Sequence, residues 1–284
     1  MSRISYINGS YVHHYKAYVH IEDRGNQFAD GVYEVIPVRQ SNLIDFKPHL
    51  DRLNRNLKKL KIKFNYSGKA LYFIFNRLIY LNKIKNGIIY LQISRGTAQR
   101  DHAFPEYIEP NFFITARNKK INNKLIEEGV SVITTKDLRW KRCDIKTISL
   151  LPNVLAKQEA IDKNAFEALL IGSDEIINEG SSSNFWIVKG NKIFTGPLSA
   201  KVLPGIVREV LINIINKEKI DFIEEKFTLQ EAIDSNEAMI TNSSTVITPV
   251  VKINDKVIGN GMPGPITIKL HQLIEKNIIE QIVK

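Results

Sequence analysis

Lys146 lies in the stretch RWKRCDIKTISLLPNVLAKQEA (139–160), just after a basic, aromatic segment and just before a run that reads as a helix entering a core. A lysine amine, once unprotonated and held in place, attacks carbonyl carbon and can shuttle a proton. Three other segments offer groups that could work with it. In INEGSSSNFWIV, Glu179 is followed by Gly180, three serines and then an apolar run. In VLPGIVREVL, Pro204 and Gly205 end one segment and let a helix begin with free backbone N–H groups, an anion site by construction. In ITNSSTVITP, Ser243, Ser244 and Thr245 place hydroxyls at a strand end.

Each segment alone also fits a plainer role: a surface lysine, a polar hairpin turn, a loop-to-helix junction. Other chemistries lack their residues. There is no G-x-x-x-x-G-K-[ST], no G-x-G-x-x-G after a strand, no H-E-x-x-H and no G-x-S-x-G. His13 and His14 are adjacent, so on a strand they point to opposite faces, and no metal is expected. A lysine, a lone carboxylate, an anion-binding helix start and hydroxyl-lined loops together suit pyridoxal phosphate. Its aldehyde takes a lysine as a Schiff base, its ring nitrogen wants an acidic partner, and its phosphate wants a helix start.

The elements that must carry these groups can be read from patterning. RISYINGSYV has two alternating runs around Asn8-Gly9, a strong hairpin signal. GVYEVIPV reads as a strand. In HLDRLNRNLKKLKIK, Leu50, Leu53, Leu57 and Leu60 share one helical face and the charges take the other. A second helix follows in KALYFIFNRLIYLNKI, then strands in GIIYLQISRG and NFFITARN. Residues 118–124 form a polar linker between an N-terminal domain, 1–117, and a larger C-terminal domain, 125–284. In the latter, GVSVITT is a strand, Pro152–Asn164 a helix, LPGIVREVLINIINKE a helix with Ile206, Val207, Val210, Leu211, Ile214 and Ile215 on one side, and TIKLHQLIEKNIIEQIV the closing helix. Strands and helices mix without a βαβ rhythm, so the expected class is α+β with two domains.

Bulk properties limit the partners. The 284 residues are 43% hydrophobic and 25% charged, with no apolar run near the roughly 20 residues of a membrane helix. One cysteine, Cys143, excludes an internal disulfide, and the start has no signal-peptide core, so a reducing cytoplasm is expected. The net charge of +10 comes with a general Ile, Lys and Asn bias and no nucleic-acid motif. Nucleic acid and membrane are therefore not expected partners.

The motifs EDRGNQFADGVYE, HLDRL, ISRGTAQRDHAFPE, RWKRCDIKTISLLPNVLAKQEA and EGSSSN, in that order, resemble those of the fold-type IV pyridoxal-phosphate enzymes, and of the D-amino acid aminotransferases among them. The resemblance covers essentially the whole chain. It implies a two-domain α+β fold with the cofactor between the domains. By the same resemblance Lys146 is the Schiff-base lysine, Glu179 contacts the pyridine nitrogen, and Arg52 binds the phosphate. The N–H groups of Ile206 and Val207 cap the phosphate, Ser243 adds a hydroxyl, and Leu203 packs near the ring. Tyr33, Arg100 and His102 are implied to hold the substrate carboxylate, the set being contributed by a partner subunit, which requires at least a homodimer. Without the resemblance Arg52 reads as solvated helix face.

The implied reaction is a ping-pong transamination between D-amino acids and 2-oxo acids, for instance D-alanine and 2-oxoglutarate giving pyruvate and D-glutamate. Other reactions on the same scaffold are an L-branched-chain aminotransferase and an aminodeoxychorismate lyase. A non-enzymatic pyridoxal-phosphate-binding protein is a reading from another class, and an intact Lys146 and Glu179 argue against it. Three positions depart from the family pattern. Ala29 replaces a glycine in the F-G-D-G turn. Val207 replaces a threonine, losing a hydroxyl but keeping the backbone donor. Asp101 puts a negative charge between Arg100 and His102, which would weaken carboxylate binding if it pointed inward.

Overall fold

Asn8 and Gly9 both take positive φ, 44° and 95°, as a two-residue hairpin turn requires. They join β1 (Ile4–Ile7) to β2 (Ser10–His13) in a computed structural model that describes residues 3–283. The chain divides into two compact units. One holds the chain up to Lys120 together with Ile145–Ser149; the other holds Ile121–Asp144 and Leu150 onward.

In the first unit, α1 (Arg24–Phe28) leads into β3 (Gly31–Arg39) and the short β4 (Asn42–Leu43). Then come α2 (Phe46–Lys59), α3 (Gly68–Leu81), β5 (Gly87–Ser94) and β6 (Phe112–Asn118). The strands form an antiparallel sheet ordered β2-β1-β6-β5-β3-β4. Leu53 and Leu57 of α2 and Leu71, Phe75 and Leu78 of α3 pack into one core with Ile36, Ile89, Leu91 and Ile114 of the sheet. The apolar face of α2 thus lies where its leucine spacing predicts. His49, Arg52 and Asn56 are buried too, so the expected solvated face is narrower than its charges suggested.

The expected continuous second domain, 125–284, differs from the observed division at one place. Residues 145–149 add to the edge of β3: Tyr33 N donates to Lys146 O at 3.1 Å and Ile148 N to Gly31 O at 3.2 Å. Thr147 bridges Val32, and Ile145 enters the first unit's core. The cause is a strand pairing over more than a hundred residues of sequence, which local patterning does not report.

The second unit contains α4 (Lys124–Glu128), β7 (Val130–Lys136), α5 (Leu151–Asp162), β8 (Glu167–Ile171) and β9 (Ile177–Gly180). These are followed by β10 (Asn184–Lys189), β11 (Lys192–Thr195), α6 (Ile206–Lys217), β12 (Phe222–Glu224) and α7 (Leu229–Ile233). It closes with β13 (Glu237–Asn242), β14 (Val246–Ile253), β15 (Lys256–Val257) and α8 (Pro265–Val283). Its mixed sheet runs β12-β11-β10-β13-β14-β7-β8-β9, with β15 on β14. β7 is parallel to both β8 and β14, and β11 to β12; the other pairs are antiparallel. Among the described residues no helix is long and apolar enough to cross a membrane.

Candidate active site

In the first unit, the strand addition at β3 sets Lys146 beside Tyr33. The Lys146 Nζ lies 4.3 Å from the Tyr33 ring centroid, so Tyr33 stands beside its own chain's lysine and not, as expected, at a partner's, and Tyr90 of β5 packs 5.7 Å from the same ring. Next to Tyr33 in sequence, Glu34 points to the other face of the strand and is buried against α2. Its carboxylate accepts from Arg52 Nε at 2.8 Å, Arg52 Nη2 at 2.7 Å and His49 Nδ1 at 2.7 Å. Burial alone would raise the Glu34 pKa, but the Arg52 guanidinium and the His49 ring outweigh it and bring it down to about 2. Burial lowers His49 despite the pull of Glu34, so it donates Nδ1–H as a neutral ring. Arg52 is therefore held in orientation by a buried carboxylate, a partner its surface-like sequence context did not announce.

Arg100 and His102 lie together on an exposed turn in the connection from β5 to β6. The Arg100 guanidinium carbon is 4.6 Å from the centroid of Phe28, and the His102 ring is 5.2 Å from it. Asp101 points away from an inward clash: its Oδ1 accepts from Ala103 N at 2.9 Å, folding back on its own turn.

In the second unit, Glu179 of β9 is buried with three donors around it. Asn184 Nδ2 donates at 3.0 Å, Leu203 N reaches Oε1 and Oε2 at 3.2 and 3.1 Å, and Arg139 forms an ion pair. Burial pushes the Glu179 carboxyl up to about 7, against the downward pull of Arg139 and the Leu203 N–H. Arg139 is itself held by Asp137 at 2.8 Å and by Lys201 O at 3.0 Å. Leu203 was expected to pack beside a ring; what the structure shows is its backbone N–H fixing the carboxylate. Asn184 Nδ2 further donates to Leu203 O at 2.9 Å, tying the Glu179 strand to the segment that enters α6.

That helix begins at Ile206 on Gly205, with no side-chain cap, so its first N–H groups are left for another acceptor. Ile206 and Val207 are buried, and Val207 brings no hydroxyl. Ser243 sits in the turn between β13 and β14, half-buried beside Asn242, whose Oδ1 accepts from Ser244 N and Thr245 N at 2.8 and 2.9 Å. The turn ends on Val246 with φ 63°, a strained conformation for a β-branched residue. The three serines after Glu179 all turn their hydroxyls to buried Glu167, Ser182 at 2.7 Å and Ser183 at 3.3 Å among them. They hold the loop that carries Glu179.

Within each unit the residues expected at the site thus gather: Lys146 with Tyr33 and Arg100 with His102 in the first, Glu179 with Leu203 and the α6 start in the second. Glu34, His49, Tyr90, Arg139 and Asn184 were not singled out from sequence. An acid beside Tyr33 and a D-x-R pair before Lys146 were the available signals for Glu34 and Arg139.

Comparison with known proteins decides the family. A family model described as amino-transferase class IV matches residues 31–253. The D-alanine aminotransferase of Staphylococcus epidermidis is 39% identical over 274 residues, covering 96% of this chain and 97% of its own. This chain belongs to the class IV aminotransferases. The D-alanine aminotransferase of Bacillus licheniformis is 36% identical over 279 residues, 98% of each chain. Among solved structures, the branched-chain amino acid aminotransferase of Escherichia coli superposes with a TM-score of 0.88 at 21% identity, covering 98% of this chain and 95% of its own, which speaks to the fold.

As a class IV aminotransferase the protein depends on pyridoxal phosphate, and its donor set fits that group. Its first unit offers an amine on a paired strand, and its second a buried carboxyl and a helix start without a side-chain cap, chemistry that suits a carbonyl, a ring nitrogen and a phosphate.

Proposed function

We propose that this aminotransferase exchanges amino groups between D-amino acids and 2-oxo acids, with D-alanine and 2-oxoglutarate as a working pair. The observation that carries the reading is the near full-length match to D-alanine aminotransferases, which runs through the motifs holding Lys146, Glu179, Arg100 and His102. Bound pyridoxal phosphate supplies a carbonyl that takes up the amino group and a ring that withdraws electrons from Cα.

The chain's own residues do the rest. Lys146 is the residue that would hold the cofactor's carbonyl carbon, and its free amine would carry the proton between the substrate's Cα and that carbon. Tyr33, against the Lys146 amine, limits where that amine can point. Glu179 keeps the ring nitrogen protonated; its raised affinity for a proton in a dry site favours sharing one there. Arg52, the N–H groups of Ile206 and Val207, and Ser243 bind the phosphate. Leu203 packs beside the ring. Tyr33, Arg100 and His102 hold the substrate carboxylate by charge and directional donors. Handedness follows from the side on which that carboxylate is anchored, because the Cα–H must face Lys146 in either enantiomer.

A homodimer, in which Arg100 and His102 serve the partner's site, is part of the proposal. So is residence in the cytoplasm, supported by the chain's single cysteine, Cys143, which can form no internal disulfide. A chirality-resolved assay with added pyridoxal phosphate tests the reading. D-glutamate should form from D-alanine and 2-oxoglutarate, and Lys146→Ala should abolish it. Activity confined to L-leucine or L-valine would leave Lys146 and Glu179 in place and overturn the substrate assignment; pyruvate released without an amino acceptor would point to a lyase.

A further inference from the structure

The turn that carries Arg100 and His102 belongs to a long connection, residues 95–111, with a single isolated bridge, Thr97 to Asp23, and no helix or strand of its own. Something other than a sheet must hold it. Arg24 of α1 does so with a side chain that is only 3% exposed. Its Nη1 donates to Asp101 O at 2.6 Å and its Nη2 to His102 O at 3.4 Å. Its Nε donates to Asp30 Oδ2 at 2.9 Å. Asp30 is gripped in turn by Arg95, Nε at 2.7 Å and Nη2 at 2.9 Å, and the Arg95 guanidinium lies 3.6 Å from the Phe104 ring centroid at the far end of the turn. One carboxylate thus anchors two buried arginines, and these clamp the two ends of the turn.

Phe28, one helical turn after Arg24, is the surface on which the turn rests. Its ring carries the guanidinium carbons of Arg24 at 4.8 Å and Arg100 at 4.6 Å and the His102 ring at 5.2 Å. The contacts to Asp101 and His102 are to main-chain oxygens, so they set the path of the turn whatever its side chains are.

We propose that Arg24 and Phe28 are positioning residues for substrate recognition: they fix the path and facing of the Arg100–His102 turn so that guanidinium and imidazole meet one carboxylate. The inference rests on the reading of Arg100 and His102 as the carboxylate's partners. Only a planar fork can serve Asp30 and two carbonyls at once, so lysine at position 24 keeps the charge and loses the geometry.

The test is a double-mutant cycle on the holoenzyme, with kcat and KM for D-alanine measured at saturating 2-oxoglutarate. Arg24→Lys should raise KM roughly tenfold while kcat stays within about threefold, the signature of lost substrate binding. In an Arg100→Ala/His102→Ala background the same change should add less than about twofold, because the residues through which it acts are gone. Phe28→Leu, which keeps apolar volume and removes the ring face, should show the same dependence on Arg100 and His102, and it stands in if Arg24→Lys does not fold. Equal factors in both backgrounds would overturn the proposal, since Arg24 would then act on the enzyme independently of Arg100 and His102. If Arg100→Ala itself leaves KM unchanged, the carboxylate assignment fails first. A KM effect of Arg100→Ala with none from Arg24→Lys or Phe28→Leu would overturn this inference alone.

Discussion

Two buried glutamates answer to pH in opposite senses. Glu34 has a folded value of about 2 against an ordinary 4.5, because the Arg52 and His49 contacts outweigh burial. It therefore contributes stability that is present above pH 4.5 and lost as pH falls toward 2, on the order of 3 kcal/mol in all. Urea unfolding of Glu34→Gln should show a large loss against wild type at pH 7 that shrinks at pH 3; an equal loss at both would remove the ion cluster from the account. Glu179 runs the other way. Burial raises it to about 7, so in the cofactor-free protein its contribution is present below pH 4.5 and lost as pH rises through 7. Relative to wild type, cofactor-free Glu179→Gln should gain stability between pH 5 and pH 8, on the order of a few kcal/mol at most. No gain would mean that Arg139 keeps the carboxylate ionised throughout.

At the scale of elements, two tight backbone positions govern the site. Gly205 begins α6 with no room beside it: a Cβ there would meet Asn184 Oδ1 at 2.0 Å. Because the Asn184 amide supports both Glu179 and Leu203 O, Gly205→Ala should displace it. Cofactor affinity should fall at least roughly tenfold, the scale of one lost charge-assisted hydrogen bond, in a fluorescence titration. Unchanged affinity would separate the helix start from the Glu179 cluster. Ala29 closes α1 at φ 54°, a left-handed position where alanine is strained and glycine is not. Ala29→Gly should stabilise the protein by up to about 1 kcal/mol, less the entropy glycine regains on unfolding. A lower melting temperature would show that the α1 cap tolerates alanine without cost.

For the whole molecule, cofactor binding is linked to stability. Pyridoxal phosphate at about a hundred times its Kd should raise the unfolding free energy by about 3 kcal/mol. Pyridoxal without the phosphate, at equal concentration, should do much less; an equal effect would dismiss Arg52, Ile206, Val207 and Ser243 as phosphate ligands. Much of this architecture was legible in the sequence. The Asn8-Gly9 hairpin, the leucine face of α2 and the apolar side of α6 follow from local period and turn chemistry. The five-residue helices α1, α4 and α7 are too short to show a period. The hidden parts are non-local contacts: Arg52 finds Glu34 across 18 residues and Arg139 finds Glu179 across 40. A charge reads as solvated until its distant partner is known.

The return of residues 145–149 to the first unit has a consequence for synthesis on the ribosome. Domains generally fold as units during synthesis, N-terminal first. Here the first unit's edge strand and its core residue Ile145 emerge only after β7 of the second sheet has been made. A nascent chain released at Lys120 leaves Tyr33 N and Gly31 O without the partners that 146–148 provide. Lys146 is thus delivered by the last piece of its unit to be translated, so no nascent chain holds it against Tyr33 before that segment has closed the sheet.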